Sequence, residues 1–349
     1  MGGAANNLWD KFIMIRALVT GGGGFLGSSI ARLLAQKGWK VYVLGRSAYP
    51  ELETLNIKCY RIDLSRADQL QKQIEPVDVV FHVAAKAGIW GNYASYYEAN
   101  VMATRHTINY CKILNIPLVY TSSPSVIFNG SDMNRANESV PYPNHYHSYY
   151  PETKAIAERE VLQAAKNGQL KACSLRPHLI WGPGDNHLIP RFLKRGKAGS
   201  IAVVGNGNNM VDTVYVEDAA FAHLQAAKKL LHNDEISGEA FFISQDEPIL
   251  LFDWINRFLE QAGIPRIRRK VPANLAYAIG STMEFMYKLF KIESEPRMTR
   301  FLALELSTEH TFDLSKARNM LGYQPQYSME EAFNKTFESA YFRELVKQI

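Results

Sequence analysis

The sequence predicts an α/β fold, in which a doubly wound parallel sheet is followed by a smaller C-terminal lobe. Three observations predict it. Short β-rich apolar runs alternate with stretches of helical spacing from about residue 13 to 180, which is typical of parallel strands joined by crossover helices. A glycine cluster lies between the first run and the first helical stretch. After residue 182 the alternation gives way to turn residues around shorter elements.

The predicted elements follow one another without a low-complexity linker. Strands are expected in the segments FIMIRALVT, VYVLG, VDVVFHVAA, IPLVYTSS and ACSLRPHLIWG. Helices are expected in LGSSIARLLAQKG, YYEANVMATRHTINYCKIL and PETKAIAEREVLQAAKNG, and Gly38 and Gly168 are typical helix-ending glycines. Further helices are predicted from about residues 215, 251 and 329. Ligands of such a sheet bind beyond the carboxyl ends of its strands.

The pattern divides the chain into three parts. Residues 13–182 are expected to form a dinucleotide-binding domain of the Rossmann type, to which the chain returns near residues 213–230. Residues 183–349 are expected to form mainly a substrate-binding lobe, and residues 1–12 an N-terminal extension.

The composition narrows the class of protein. The 349 residues are 47% hydrophobic and 21% charged, as in an ordinary globular protein. The net charge of +5 is mild and the basic residues are mostly dispersed, so nucleic-acid binding is not indicated. Neither the three scattered cysteines nor the histidines have the spacing of metal ligands, so no metal is predicted. Reduced cysteines and the absence of a secretory pattern in the first residues predict a cytoplasmic location.

A basic run followed by an apolar one distinguishes the C-terminal half. Residues 266–270 read RIRRK and lead into the apolar residues 271–292, which Glu284, Lys288 and Lys291 interrupt too often for a membrane span. An amphipathic helix packed on its own protein is the favoured interpretation. A lid over an apolar pocket, or a peripheral contact with a membrane surface, remains an alternative.

The glycine cluster predicts a dinucleotide site. Gly21, Gly24 and Gly27 give the spacing G-x-x-G-x-x-G between the first strand and the first helix. Glycines at such a turn let the backbone approach a pyrophosphate and let the helix pack closely on the strand. The helix N-terminus then supplies N–H groups and a partial positive charge to the phosphates.

The end of the second strand bears on which dinucleotide binds. An enzyme selective for NAD usually has an acidic residue there, which hydrogen-bonds the adenosine ribose. This chain has Gly45 and Arg46 at that point. Because a guanidinium pairs with a 2′-phosphate, NADP(H) is favoured, although NAD(H) remains possible.

Tyr150 and Lys154 are a candidate catalytic pair. They are four residues apart and so share one face of a helix, whereas Tyr149 does not share a face with the lysine. Pro151 suits the first turn, so the helix is expected to open just after Tyr150. A fixed positive charge would stabilise the phenolate and make Tyr150 useful in proton transfer near neutral pH.

These motifs resemble the extended short-chain dehydrogenase/reductase superfamily over nearly the whole chain. Thr20 with the three glycines resembles its T-G-x-x-G-x-x-G, and Tyr150 with Lys154 its Y-x-x-x-K. Ser123 in YTSSPSV lies at the position of the catalytic serine. The resemblance implies cofactor contacts by Asp63 after the third strand and by further residues, namely Phe25, Leu26, Leu64, Ala84, Ala85, Lys86, Asn100, Tyr150, Lys154 and Pro177.

The resemblance also points to a branch of the superfamily. The segments HVAAKAGIWGNYASYYEANV, YTSSPSV and IWGPGD resemble the 3β-hydroxysteroid dehydrogenase branch and, within it, the bacterial 2-alkyl-3-oxoalkanoate reductases. Two residues differ from the superfamily pattern: Trp181 stands in place of a tyrosine, and Val211 in place of an arginine that holds a diphosphate in nucleotide-sugar enzymes. The expected substrate is therefore lipophilic.

The expected activity is the interconversion of a ketone and a secondary alcohol on a 3-oxoalkanoate or 3β-hydroxysteroid type of molecule. Tyr150 would transfer the proton, Lys154 would lower the pKa of the phenol and hold the nicotinamide ribose, and Ser123 would bind the carbonyl oxygen. Asn100 is expected to buttress backbone or an ordered water. Pocket contacts are hypothesised for Trp90, Trp181, His178 and His187. A nucleotide-sugar epimerase or dehydratase, and a non-catalytic NADP-binding sensor or scaffold, are the alternatives. The resemblance further implies a homodimer.

Overall fold

The computed structural model describes residues 14–67 and 70–349. The predicted N-terminal extension, residues 1–12, and the first two residues of the predicted first strand lie outside the described residues.

The fifteen described strands have the following bounds. They are β1 Arg16–Thr20, β2 Lys40–Gly45, β3 Lys58–Arg61, β4 Val79–His82, β5 Leu118–Thr121, β6 Met133–Ala136, β7 Ala172–Pro177, β8 Ile180–Trp181, β9 Val203–Val204, β10 Met210–Val211, β11 Val214–Tyr215, β12 Ala240–Ile243, β13 Ile249–Leu250, β14 Lys270–Val271 and β15 His310–Phe312.

The described helices have the following bounds. They are α1 Phe25–Gln36, α2 Pro50–Glu53, α3 Tyr93–Tyr96, α4 Ala103–Leu114, α5 Tyr149–Lys166, α6 Leu188–Lys197, α7 Val216–His232, α8 Leu251–Gln261, α9 Ala273–Leu289, α10 Arg300–Glu305, α11 Met329–Phe337 and α12 Ala340–Gln348. In the part of the chain that the structure describes, no helix combines the length and apolarity needed to cross a bilayer.

The central sheet confirms the predicted α/β fold. Its seven strands run in the order β3-β2-β1-β4-β5-β7-β12, and every neighbouring pair is parallel. Strand order reverses at β1, so β1 and β4 flank a crevice at their carboxyl ends, where ligands of such sheets bind.

Alternate residues of each strand face opposite layers of helices, because side chains on a strand point to its two faces in turn. Val19 of β1 belongs to the hydrophobic core that includes buried residues of α1 and α7. Its neighbour Leu18 belongs to the core that includes buried residues of α4 and α5. Both faces of the sheet are therefore covered, which explains why the strand segments are continuously apolar.

The C-terminal half contributes to the sheet as well as to a separate core. β12 forms the seventh strand beside β7, in the register Phe241 to Leu175. A four-stranded sheet in the order β13-β10-β15-β6 and two small parallel pairs, β8 with β11 and β9 with β14, lie outside the central sheet. A third hydrophobic core surrounds Trp181, Trp254 and Phe258. The domain boundaries given above stay a prediction.

Two helices differ in detail from expectation. α5 begins at Tyr149 with Ser148 as its N-cap, so it opens before Tyr150 rather than after it. Pro151 still lies in the first turn, where a missing N–H costs no helical hydrogen bond. The long helix predicted before the fifth strand is divided, because a π-helical segment, Tyr97–Met102, separates α3 from α4. That segment carries Asn100.

Candidate active site

A cleft of about 990 Å³ opens at the carboxyl ends of β1, β4 and β5. It brings together residues of the glycine turn, of the second and third strand ends, and of α5. Sixteen of the residues predicted for the site line it: Gly21, Gly24, Phe25, Leu26, Gly27, Arg46, Asp63, Leu64, Ala84, Ala85, Lys86, Ser123, Tyr150, Lys154, Pro177 and His187. His178, one of the hypothesised pocket residues, lines it as well.

The glycine turn requires glycine for measurable reasons. Gly21 has φ +67°, and a Cβ there would come within 2.7 Å of the Ala84 Cα. A Cβ on Gly27 would lie 2.3 Å from the Gly21 carbonyl oxygen. Gly24 is the N-cap of α1, and neither a side-chain cap nor an acidic first-turn residue satisfies the helix N-terminus. Its N–H groups are left for an anion, so the turn fits a dinucleotide pyrophosphate.

One corner of the cleft combines a carboxylate with two guanidinium groups. The Asp63 carboxylate accepts hydrogen bonds from the Ser65 backbone N–H at 3.0 Å and the Ser65 hydroxyl at 2.7 Å. These bonds, with the charges of Arg46 and Arg66, hold the pKa of Asp63 below its usual value. Arg66 lines the cleft but was missed by the sequence analysis. Its position three residues after Asp63 in the sequence could have identified it.

Tyr150 and Ser123 meet at the opposite side of the cleft. Ser123 follows β5 and caps a short 3₁₀ turn, with its hydroxyl 3.0 Å from that of Ser125. Tyr150 lies in the first turn of α5 and is half-buried. Burial raises the pKa of Tyr150, and its interaction with the Ser123 side chain acts in the opposite direction. The phenol is therefore protonated near neutral pH and placed to donate a proton.

The ammonium group of Lys154 is held by the backbone at the end of β5. Its ammonium donates a hydrogen bond of 2.5 Å to the Thr121 carbonyl and lies 4.3 Å from the centre of the Tyr120 ring. Burial lowers the pKa of Lys154 to about 7. Burial is the main cause of the raised Tyr150 pKa, and the expected lowering of that pKa by Lys154 stays a prediction. The lysine head group is anchored at the end of β5.

Asn100 does not line the cleft, because it supports the cleft wall from behind. It is 1% exposed. Its side-chain oxygen accepts a 2.7 Å hydrogen bond from the Lys86 backbone N–H, and its amide nitrogen donates to the Lys86 carbonyl at 3.2 Å and to the Thr153 hydroxyl at 2.9 Å. Asn100 therefore does not make the direct cofactor contact that the resemblance had implied. Its side chain ties the loop after β4 to α5.

A buried ion pair joins α5 to β7. Glu158, one helical turn after Lys154, pairs with Arg176 of β7, and both side chains are almost fully buried. Tyr142 donates a further hydrogen bond of 2.7 Å to the carboxylate. The Arg176 charge and these hydrogen bonds outweigh burial and hold the pKa of Glu158 below its usual value. The pair fixes α5 against the sheet at the turn that follows Lys154.

Two of the hypothesised substrate residues lie outside the cleft. Trp181 is fully buried in the C-terminal core, and its indole N–H donates to the Thr213 hydroxyl at 3.0 Å. The predicted contact of Trp181 with a substrate is therefore wrong, because the ring is enclosed by the side chains of the C-terminal core. Trp90 is half-buried, packs edge-on against Tyr287 and donates to the Ile292 carbonyl at 3.3 Å. It joins the loop beside the cleft to the end of α9.

The structure adds a carboxyl group that the sequence analysis missed. Glu305, the last residue of α10, lines the same cleft as Tyr150. Burial raises the pKa of Glu305 to about 8. No local pattern marks it, since it lies far along the chain from the glycine turn and from Tyr150. Within the described ranges no group of three or more acidic, cysteine or histidine side chains is arranged to hold a metal ion.

Comparison with known proteins places this cleft in a family. Residues 18–273 match the 3-beta hydroxysteroid dehydrogenase/isomerase family. The chain belongs to this family. Its relatives include the 2-alkyl-3-oxoalkanoate reductase of Shewanella oneidensis, 43% identical over 91% of this chain and 84% of the relative. The corresponding reductase of Stenotrophomonas maltophilia is 41% identical over 92% of this chain and 98% of its own.

A solved structure shows the same fold at greater distance. The UDP-glucuronic acid 4-epimerase of Bacillus cereus, solved in complex with NAD, is 21% identical, with a TM-score of 0.72 over 95% of this chain and all of that one. As a member of the 3-beta hydroxysteroid dehydrogenase/isomerase family with relatives named as reductases, the chain is an NAD(P)-dependent oxidoreductase.

Proposed function

We propose that this protein uses NADP(H) to interconvert a ketone and a secondary alcohol on a lipophilic substrate of the 3-oxoalkanoate type. The observation that carries the proposal is the single cleft in which the glycine turn meets Ser123, Tyr150 and Lys154. The identity of 41–43% to two reductases of 2-alkyl-3-oxoalkanoates supports the substrate class. A 3β-hydroxysteroid is the second substrate type that the family name suggests.

The residues of the cleft divide the reduction among them. A bound nicotinamide supplies the hydride to the carbonyl carbon. Ser123 donates a hydrogen bond to the carbonyl oxygen and stabilises its developing charge. Tyr150 gives its phenolic proton to the same oxygen, which becomes the hydroxyl of the product. Lys154, held by the Thr121 carbonyl at the floor of the cleft, would bind the ribose of the cofactor.

Apolar side chains support a lipophilic substrate. The lining of the cleft includes Ile89, Leu179, Leu188 and Phe301. Val211, which replaces the diphosphate-binding arginine of nucleotide-sugar enzymes, lies buried in β10. Both observations favour a lipid over a sugar nucleotide. The intact set of Ser123, Tyr150 and Lys154 disfavours a non-catalytic sensor or scaffold.

The experiment that tests the function follows NADPH consumption by the purified protein with three panels of substrates: 3-oxo acids, 3-oxosteroids and UDP-sugars. We expect turnover with the 3-oxo acids. Turnover confined to the UDP-sugars would contradict the proposal and support the epimerase alternative.

Arg46 is expected to set the preference for NADP(H). The guanidinium of Arg46 lines the cleft with that of Arg66, and both act on Asp63. In Arg46→Asp the ratio of kcat/KM for NADPH to that for NADH should fall by roughly tenfold to a hundredfold, the range of a lost charged hydrogen bond. Steady-state kinetics with both cofactors measure it. An unchanged ratio would show that Arg46 does not contact a 2′-phosphate.

A peripheral contact with an anionic membrane is a further part of the proposal. α9 buries Ala276, Gly280 and Glu284 against the protein and exposes the other face. That face and the turn after it carry the exposed side chains of Leu275, Ile279, Phe285, Met286, Leu289, Phe290 and Ile292. The exposed basic run 266–270 precedes the helix. Exposed apolar side chains next to a basic run suit the surface of an anionic bilayer.

Replacing the most exposed phenylalanine and the most exposed leucine of this face tests the contact. Phe285→Ser with Leu289→Ser should weaken cosedimentation with anionic phospholipid vesicles at least tenfold, because each buried side chain contributes about 1.5–3 kcal/mol. The matched control is Leu231→Ser on α7, an exposed leucine far from α9 in sequence. Equal binding by the double variant and the wild type, or no binding by the wild type, would contradict the proposal.

The resemblance to the family supports a proposal for the assembly. A homodimer would pair through α5 and its neighbour α4. The Arg105–Glu160 ion pair joins these two helices, and α4 exposes Ile113 and Leu114. The cytoplasmic location stays a prediction from the cysteines and the N-terminal sequence.

A further inference from the structure

Glu305 lies in the cleft at the end of a helix that packs firmly against its neighbour. It ends α10, and 21% of its side-chain surface is exposed. The start of α10 is fixed by Glu284 of α9, whose carboxylate accepts from the Arg300 backbone N–H at 2.7 Å and from the Arg300 Nε at 2.9 Å. The two helices are in close contact, since a Cβ on Gly280 would lie 2.5 Å from the Thr299 carbonyl carbon. The position of Glu305 is therefore set by packing.

The Glu305 carboxyl has no hydrogen-bond partner among the residues that the structure describes. His310 lies beside it, with 4.0 Å between Glu305 Oε2 and His310 Nε2, and that nitrogen lies 2.9 Å from the Thr308 hydroxyl. A polar group removed from water is costly unless something in the protein or a ligand bonds to it. Glu305 faces the open cleft, where a bound ligand would replace water as its hydrogen-bond partner.

The neighbours of Glu305 favour a neutral carboxyl. Tyr150 of α5 and His178 between β7 and β8 line the same cleft as Glu305, and His310 of β15 lies 4.0 Å from its carboxyl. None of the three is a cation at neutral pH. Burial lowers the pKa of His310 to about 4 and that of His178 well below its usual value. Burial also raises the pKa of Glu305 to about 8, and the Glu305 charge in turn raises that of Tyr150. A protonated carboxyl is a hydrogen-bond donor.

We propose that Glu305 binds the carboxyl group of a 3-oxo acid substrate while Ser123 and Tyr150 bind its ketone oxygen. The proposal rests on the proposed function and deepens it. In a 3-oxo acid only one carbon separates the ketone from the carboxyl group, so the two groups need adjacent polar contacts. All three residues line one cleft. A neutral Glu305 donates a charge-assisted hydrogen bond to the substrate carboxylate, whereas an ionised one repels it.

Comparing an acid with a ketone that lacks the carboxyl group isolates this contact. The wild type, Glu305→Leu and Glu305→Gln are assayed with a 2-alkyl-3-oxo acid and with the ketone left when its carboxyl group is replaced by hydrogen. The ratio of kcat/KM for the acid to that for the ketone should fall roughly tenfold to a hundredfold in Glu305→Leu. Glu305→Gln, which keeps a donor, should retain most of the ratio. Glu338→Leu, which replaces an exposed glutamate in the turn between α11 and α12, is the control.

The pH dependence separates a substrate contact from a packing role. For the wild type, the KM for the acid should rise as the pH passes about 8, where Glu305 ionises, while the KM for the ketone does not follow. Glu305→Gln should lose this rise, although Lys154 still titrates near pH 7 in every variant. An equal loss with both substrates in Glu305→Leu, or the same pH profile in Glu305→Gln, would overturn the proposal. Failure of the wild type to reduce either substrate would instead refute the proposed function.

Discussion

Tyr150→Phe is expected to lower kcat roughly a hundredfold to ten-thousandfold, the usual contribution of a positioned general acid. The substitution removes only the hydroxyl that would donate the proton, and it keeps the ring within the first turn of α5. Cofactor affinity should change little, because the glycine turn and the Arg46 corner lie on the other side of the cleft. Single-turnover kinetics with NADPH, together with NADPH fluorescence titration, measure the two quantities separately.

Tyr149→Phe is the matched control for this variant. Tyr149 precedes Tyr150 directly but lies outside the cleft, where it packs edge-on against Tyr93 with 5.4 Å between ring centres. Its activity should equal that of the wild type. Substantial turnover by Tyr150→Phe, or an equal loss in both variants, would remove Tyr150 from its proposed catalytic role.

Glu158→Gln is expected to lower the free energy of unfolding by about 3–5 kcal/mol, the usual cost of breaking a buried ion pair. The substitution keeps the shape of the side chain but leaves the Arg176 guanidinium buried without a counter-charge. The loss should also slow catalysis, since α5 carries Glu158 as well as Tyr150 and Lys154. Urea unfolding followed by circular dichroism measures the stability.

Glu160→Gln on the same helix supplies the comparison. Glu160 pairs with Arg105 at the surface, where such a pair contributes about 0–1 kcal/mol. Replacing both members of the buried pair, Glu158→Gln with Arg176→Met, should recover part of the stability because the uncompensated charge is gone. A Glu158→Gln protein as stable as Glu160→Gln would show that the buried pair does not hold α5 in place.

The sequence was sufficient where function requires a local pattern. The glycine spacing, the alternation of strands and helices, and the four-residue step from Tyr150 to Lys154 each occupy a short stretch, and each satisfies one geometric need. Parallel strands place the ends of β1, β4 and β5 together, so residues far apart in the chain converge without any further signal. The α/β fold and the lining of the cleft were predictable for that reason.

The features of the site that the sequence did not predict depend on packing between segments that are distant in the chain. Trp181 resembles a site residue in its motif, but the core around Trp254 and Phe258 encloses it. The direction of the Lys154 ammonium depends on the Thr121 carbonyl, which only the assembled sheet brings to it. Glu305 enters the cleft because α9 and α10 pack closely through Gly280. Hydrophobic periodicity carries no information about such contacts.

The most direct test of the central claim follows the transferred hydrogen. The wild-type protein is incubated with NADPH deuterated at the transferred position of the nicotinamide and with a 2-alkyl-3-oxo acid, and the product is analysed by mass spectrometry. We predict a 3-hydroxy acid that carries the deuterium on the carbon of the former ketone, formed at least a hundredfold more slowly by Tyr150→Phe. An unlabelled product, or label transferred only when the substrate is a UDP-sugar, would contradict the account.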